Sequence, residues 1–194
     1  MSGVAAIILA AGRGTRFGQE PKLLATLQGK PLLLYGVEAA MGSAAQPVIV
    51  VTGHRSGEIE VVLEGLPIQI VHNASFAEGL STSLKAGFAA LPPKAKAAII
   101  LLGDMPLVTA ALIDELVVAW EEAGEPAALV PTLNGQRGNP VIISRRLHGL
   151  IDELSGDSGA GLVLRGRSDV VEWPTSRQAV LRDVDTKEEF SSLG

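Results

Sequence analysis

Five short aliphatic runs, at residues 4–9, 48–51, 68–71, 98–102 and 127–130, are apolar at nearly every position instead of at alternate ones. A strand wetted on one face alternates, whereas one covered on both faces does not. Between the runs, residues 31–41, 56–63, 81–91 and 109–122 carry helical spacing. Pro31 suits a first helical turn and Thr109 an N-cap. Alternation of this kind builds βαβ units, and the fold it predicts is an α/β, Rossmann-like open sheet, mostly parallel and flanked by helices. Apolar residues make up 47% of the chain and aromatics only 4%, so the core is aliphatic.

Beyond residue 131 the pattern predicts strands at 141–143, 170–173 and 179–184. It predicts helices at 144–154, 159–165 and 186–193, the last capped by Asp185 or Thr186. No Gly-, Ser- or Pro-rich linker divides the 194 residues, so the expectation is one domain over residues 1–194.

In open α/β sheets ligands sit outside the carboxyl ends of the strands. Four clusters follow predicted strands directly: the loop after Leu9, Gly53-His54-Arg55, His72-Asn73, and Gly103-Asp104-Met105-Pro106. The first reads Leu9-Ala10-Ala11-Gly12-Arg13-Gly14-Thr15-Arg16-Phe17-Gly18 and reaches Lys22. Its glycines let backbone N–H groups approach an anion, and Arg13, Arg16 and Lys22 supply counter-charge. As a loop cation, Lys22 is expected to be mostly solvated in the free protein. A P-loop is excluded because Lys22 follows proline and precedes leucine. A dinucleotide fingerprint is disfavoured, because Phe17 stands where the third glycine belongs and the second strand ends without an acidic residue for a ribose. The loop is a candidate polyphosphate site.

Asp104 follows an apolar strand and suits Mg²⁺, or else a turn cap. Asp183 and Asp185 end a predicted strand, where alternation puts both carboxylates on one side; Asp183 is assigned to the metal and Asp185 to a cap. Gly79 precedes Ser81, Thr82 and Ser83, whose hydroxyls cap a helix or, three in a row, recognise a base or ribose. Arg137-Gly138-Asn139-Pro140 is a β-turn or a site for an anionic second substrate. His54 and His72 follow strands with nothing to pair them into a metal site, and read as structural or rim residues.

The formal net charge of −5 argues against nucleic acid and anionic membrane as partners. There is no cysteine, which removes disulfides, thiolate zinc sites and a cysteine nucleophile. The first residues lack a basic segment and a long apolar segment, so a cytoplasmic location is expected.

The stretch Leu9-Ala10-Ala11-Gly12-x-Gly14-x-Arg16-Phe17-Gly18-x-x-x-Lys22-Leu23-Leu24 resembles the signature of the MobA-like nucleotidyltransferases, and within them is most similar to the molybdenum cofactor cytidylyltransferases. Gly29-Lys30-Pro31-Leu32-Leu33, Asn73-x-x-Phe76-x-x-Gly79-Leu80-Ser81-x-Ser83-Leu84, Gly103-Asp104-Met105-Pro106, Gly138-Asn139-Pro140-Val141, Gly156-Asp157-x-Gly159-Ala160 and Asp183-x-Asp185-Thr186 continue the resemblance. It implies a nucleotide-diphospho-sugar transferase-like fold, with Mg²⁺ on Asp104 and an acidic partner. The nucleotide is implied on Leu9, Ala10, Ala11, Gly12, Arg13, Gly14, Lys22, Asn73, Gly79, Ser81 and Ser83. It further implies CTP as donor and molybdopterin or its molybdenum form as acceptor, with a molybdenum hydroxylase as eventual client. Arg137, Gly138 and Asn139 are the acceptor candidates, and Lys22, Arg16 and Asp104 the catalytic ones. One departure stands out: the family's Gly-Ala-Arg is here Gly159-Ala160-Gly161, which removes a contact to the acceptor. The rivals are a related transferase using GTP or a sugar phosphate, a dinucleotide-dependent oxidoreductase, and a nucleotide-binding chaperone that delivers cofactor.

Overall fold

The computed structural model describes residues 3–17 and 21–192, apart from the side chain of Arg16. Among the described residues the strands are β1 (Val4–Ala10), β2 (Thr26–Leu27), β3 (Lys30–Pro31), β4 (Val48–Thr52), β5 (Gln69–His72), β6 (Ala97–Leu102), β7 (Ala128–Leu133), β8 (Gln136–Arg137), β9 (Val141–Ser144) and β10 (Val170–Pro174). The α-helices are α1 (Leu32–Met41), α2 (Ser56–Leu63), α3 (Leu80–Ala89), α4 (Ala110–Glu122), α5 (His148–Asp152), α6 (Ala160–Leu164) and α7 (Lys187–Ser191). None is long and apolar enough to cross a membrane.

The main sheet runs β10-β7-β9-β6-β1-β4-β5, with β8 paired to β7. It is the expected open, mostly parallel sheet. β1 lies between β4 and β6, parallel to both, while β9 runs antiparallel to β6 and β7. Every residue of β1 is buried. Val4, Ala6 and Ile8 face α1, α2 and α4, and Ala5, Ile7 and Leu9 face α3, α5 and α6, so period-two side chains feed two aliphatic layers. β5 departs from the doubly covered pattern. It forms the sheet edge, and Gln69, Ile70 and His72 are exposed there.

Register positions the site. Leu9 pairs with Leu102, Ala10 with Thr52, and Thr52 with His72, so four parallel strands end level. The loops then tie together: Gly103 N–H donates to Leu9 O at 3.0 Å, His54 N–H to Ala11 O at 3.1 Å, and Asn73 N–H to Thr52 O at 2.8 Å.

Three sequence expectations need correction. Residues 179–184 form no strand. Gln178–Leu181 is a 3-10 turn, with Val180 buried and its carbonyl accepting from Asn139 N–H at 2.8 Å. The apolar run serves burial without pairing. Residues 144–154 are not one helix either, since Ser144 ends β9, its hydroxyl caps the turn Arg145–Leu147, and α5 follows. Pro31 belongs to the short hairpin β2–β3 and sits at the N-cap of α1 instead of in its first turn.

Candidate active site

After β1 the chain turns through Gly14, whose φ of +58° favours glycine, and Phe17 N–H closes the turn on Gly14 O at 2.9 Å. The chain returns at Lys22, whose Cβ would stand 3.1 Å from a Cβ at Gly14. Around this bend lies a cavity of about 570 Å³. Its walls come from residues 11–15 and Lys22, from His54 and Arg55, from Phe76, Ala77, Gly79 and Leu80 with Ser83, and from Gly103, Asp104, Asp157, Asp183 and Asp185. A second cavity of about 270 Å³ adjoins it, sharing Leu9, Leu80 and Leu102. Arg137, Gly138 and Asn139 line the second cavity, and most of its remaining wall is aliphatic.

The charged centre differs from expectation in one respect. Lys22 is not solvated: its side chain is 10% exposed, and its Nζ lies 2.6 Å from Asp104 Oδ2 and 3.1 Å from Asp185 Oδ1. Val184 N–H donates to Asp104 O at 2.9 Å, and the Val184 side chain is buried. Asp183 and Asp185, on either side of it, both reach the cavity, as alternation requires even without a strand. Asp185 is not the cap of α7. Thr186 is, in a capping box with Glu189.

One ammonium among three carboxylates leaves an excess of negative charge. Burial pushes the Asp104 carboxyl up; Lys22 opposes this without cancelling it, and Asp183 adds to the rise. Burial pulls Lys22 down, but Asp104 and Asp185 outweigh it and hold the ammonium above its ordinary value. Asp104 Oδ1 is buried with no hydrogen-bond partner. A buried carboxylate oxygen left unpaired in a negative cleft fits a cation. Asp104 and Asp183 offer two carboxylates on this wall. That suits Mg²⁺, which keeps waters and takes phosphate oxygens while needing only one or two carboxylates.

Leu9, Ala11, Gly12, Arg13, Gly14, Lys22, Gly79, Ser83, Asp104 and Asp183 come together on the first cavity. Arg13 stands 5.8 Å over the Phe76 ring. The side chain of Arg16 lies outside the described residues. Three nucleotide candidates stay off the wall. Ala10 is fully buried in the core. Asn73 is buried and spent on its own segment, donating to Thr82 Oγ1 at 2.8 Å and Ser83 Oγ at 3.0 Å while accepting from Ser75 N–H. Ser81 is 1% exposed, and its N–H donates to Gly156 O. The Thr82 hydroxyl donates to backbone carbonyls, and it and the Ser83 hydroxyl accept from Asn73, so these two hydroxyls build the segment, whereas the buried Ser81 hydroxyl has no partner among the described residues. Arg137 is paired with Glu172 at 2.8 Å on the rim.

Asp157 and Phe76 were given no role from the sequence, and Asp185 only that of a cap. Asp157 reaches the cavity because Gly79, at φ +113°, packs so closely on Gly156 that a Cβ there would fall 2.2 Å from the Gly156 carbonyl carbon. His54 sits on the cavity rim, its ring 5.8 Å from that of Phe76, while His72 stays on the exposed sheet edge.

A family model described as the MobA-like NTP transferase domain matches residues 6–172. Nicotine blue oxidoreductase of Paenarthrobacter nicotinovorans is 28% identical over 196 residues, covering 98% of this chain and 96% of that protein. Molybdenum cofactor cytidylyltransferase of Escherichia coli K12 is 34% identical over 146 residues, 75% of this chain and 72% of that protein. Among solved structures, Rv0371C of Mycobacterium tuberculosis H37Rv in complex with manganese superposes with a TM-score of 0.81 at 25% identity, covering 100% of this chain and 98% of that one.

Proposed function

This chain belongs to the MobA-like NTP transferase family and is a nucleotidyltransferase, and we propose that it transfers CMP from CTP to the terminal phosphate of molybdopterin or its molybdenum form, with release of pyrophosphate. The observation that carries the reading is the meeting of Lys22 and Asp104 beneath the glycine loop, in a cavity of about 570 Å³. An ammonium, a loop of backbone N–H groups and a carboxylate short of a partner are what a triphosphate with its cation needs.

The triphosphate tail lies along the N–H groups of Gly12 to Gly14, with Lys22 and Arg16 stabilising charge that moves onto pyrophosphate. An oxygen of the acceptor phosphate attacks the α-phosphorus as the bond to pyrophosphate breaks. A phosphate monoester is largely ionised near neutral pH, so no side chain has to act as general base. Asp104 and Asp183 would hold Mg²⁺, which when bound would supply charge neutralisation at the phosphates. Gly79 and Ser83 face the nucleotide, while Asn73 and Ser81 shape that wall from behind. Arg137, Gly138 and Asn139 receive the acceptor. The chain acts in the cytoplasm, and its product serves a molybdenum hydroxylase.

Pyrophosphate release from each of the four triphosphates, with purified molybdopterin and with or without Mg²⁺, tests this. CTP with Mg²⁺ alone is expected to react. Preference for GTP, or for a sugar phosphate as acceptor, would overturn the substrate assignment and leave the transferase. Nucleotide binding without pyrophosphate release would point to a delivery chaperone.

A second reading is favoured by the near full-length likeness to a protein named as an oxidoreductase. The misplaced third glycine, with Phe17 in its stead, speaks against a dinucleotide site. Tight NADH binding that CTP cannot displace would establish the second reading.

A further inference from the structure

Lys22 is the one basic side chain among the described residues that reaches the carboxylates of the cleft, and it reaches two of them. Asp104 Oδ2 accepts from its Nζ at 2.6 Å and Asp185 Oδ1 at 3.1 Å. The other Asp104 oxygen has no partner. We propose that in the ligand-free protein the Lys22 ammonium, on Oδ2, competes for the Asp104 carboxylate that a divalent cation takes in the working enzyme, and that Asp185 is the positioning residue that keeps Lys22 in the cleft once the cation displaces it. This rests on the reading of Asp104 as a metal-holding carboxylate.

The geometry supports each part. An ammonium hydrogen-bonded to Oδ2 and a divalent ion bonded to the same carboxylate repel one another at contact distance, so both cannot occupy Asp104 undisturbed. A bare ion gives the lysine no new partner in exchange. A nucleotide does, because its phosphates are anions within the sweep of the long lysine stem. Cation and nucleotide are therefore expected to enter together. Asp185 is suited to hold the lysine meanwhile. Its backbone N–H is fixed by Glu189 Oε2 at 2.8 Å, and the neighbouring Val184 N–H is fixed to Asp104 O. Its carboxylate thus keeps its place while the partner of Asp104 changes. Asp183 makes no ion pair with the described residues and stands exposed on the cavity wall, which leaves it to the cation.

The test is Mn²⁺ binding to the full chain, followed by the spin-resonance signal of free Mn²⁺, in wild type, Lys22→Met, Asp185→Asn and the double variant. Without nucleotide, Lys22→Met is expected to bind Mn²⁺ about tenfold tighter than wild type. With CTP present the gap closes, because the nucleotide has already drawn the lysine away. In turnover, Asp185→Asn lowers kcat about tenfold with KM for CTP little changed, and the same substitution adds no further loss when Lys22 is already methionine. Should Lys22→Met not fold, Lys22→Gln gives the same comparison. Equal Mn²⁺ affinity of wild type and Lys22→Met without nucleotide overturns the inference while leaving the metal reading in place. So does weaker Mn²⁺ binding on adding Asp185→Asn to Lys22→Met, which would make Asp185 a metal ligand. No Mn²⁺ binding by any of the four, even with CTP, overturns the metal reading and the inference together.

Discussion

The backbone of Val184 is hydrogen-bonded to that of Asp104 across 80 positions of sequence, N–H to carbonyl at 2.9 Å, and this bond joins the two acidic loops of the cleft. The Val184 side chain packs with Phe17, Leu27 and Leu32, so the acids on either side stand on a buried peg. Val184→Ala removes two buried methyl groups. It is expected to cost about 2 kcal/mol in urea denaturation. Pyrophosphate release should fall further than that loss explains, because the anchor of Asp183 and Asp185 loosens.

Lys22→Ala is expected to slow pyrophosphate release by about a hundredfold or more, as loss of one preorganised charge donor does. CTP affinity, measured by calorimetry, should change much less. Because Lys22 is nearly buried between two carboxylates, the free protein should also lose stability, a loss that CTP and Mg²⁺ restore.

Acid should inactivate the enzyme at a higher pH than an exposed carboxylate would. In the proposed mechanism Asp104 holds a cation only when ionised, and burial, with Asp183, lifts its pKa above the usual 3.8 against the pull of Lys22. In Lys22→Met that pull is gone and the acid limb of turnover moves to still higher pH. The sign for stability follows by linkage. A folded-state pKa raised above the unfolded one contributes stability fully present below 3.8 and lost as pH rises through the folded value. Melting curves of wild type and Asp104→Asn should show wild type losing ground relative to the variant over that rise.

Gly79→Ala tests the contact between the segment entering α3 and the loop at Gly156. At φ +113° with a Cβ 2.2 Å from a backbone carbon, alanine is strained twice over. A loss of about 1–3 kcal/mol in denaturant unfolding is expected. A neutral substitution would mean that the two segments are not in contact.

Gly161 lines the second cavity, and a Cβ there meets nothing within 4 Å. Gly161→Leu should fold as well as wild type and leave CTP binding unchanged while raising the acceptor KM about tenfold or more, because the side chain takes the acceptor's room. An unchanged acceptor KM would move the acceptor out of this cavity.

The sheet was legible because its central strands announce double coverage. Helix 56–63 matches in full, and Thr109 caps α4 as its residue type requires. The hairpin β2–β3 was not legible, since two-residue strands show no periodicity; only Gln28-Gly29, both with positive φ, marks its turn. Residues 179–184 read as a strand because apolar runs look alike whether they pair or merely plug. In the site, residue type pointed to the loop cations and to Asp104. It could not show that Asn73 spends its amide on its own segment, since two strong donors and an acceptor serve a ligand or a neighbour equally well. It also set Asp185 down as a cap when that carboxylate pairs with Lys22 and Thr186 caps α7. That pairing depends on a lysine 163 positions earlier.

The level ending of β1, β4, β5 and β6 carries a consequence for how such a molecule changes over generations. Each specificity element hangs from its own fixed post, so one segment can be lengthened, shortened or exchanged without disturbing the rest of the scaffold. Grafting a foreign stretch between β5 and α3 that keeps Asn73 and Gly79 should therefore alter which base is accepted while the melting temperature barely shifts, and lineages with unrelated substrates can share one unaltered frame.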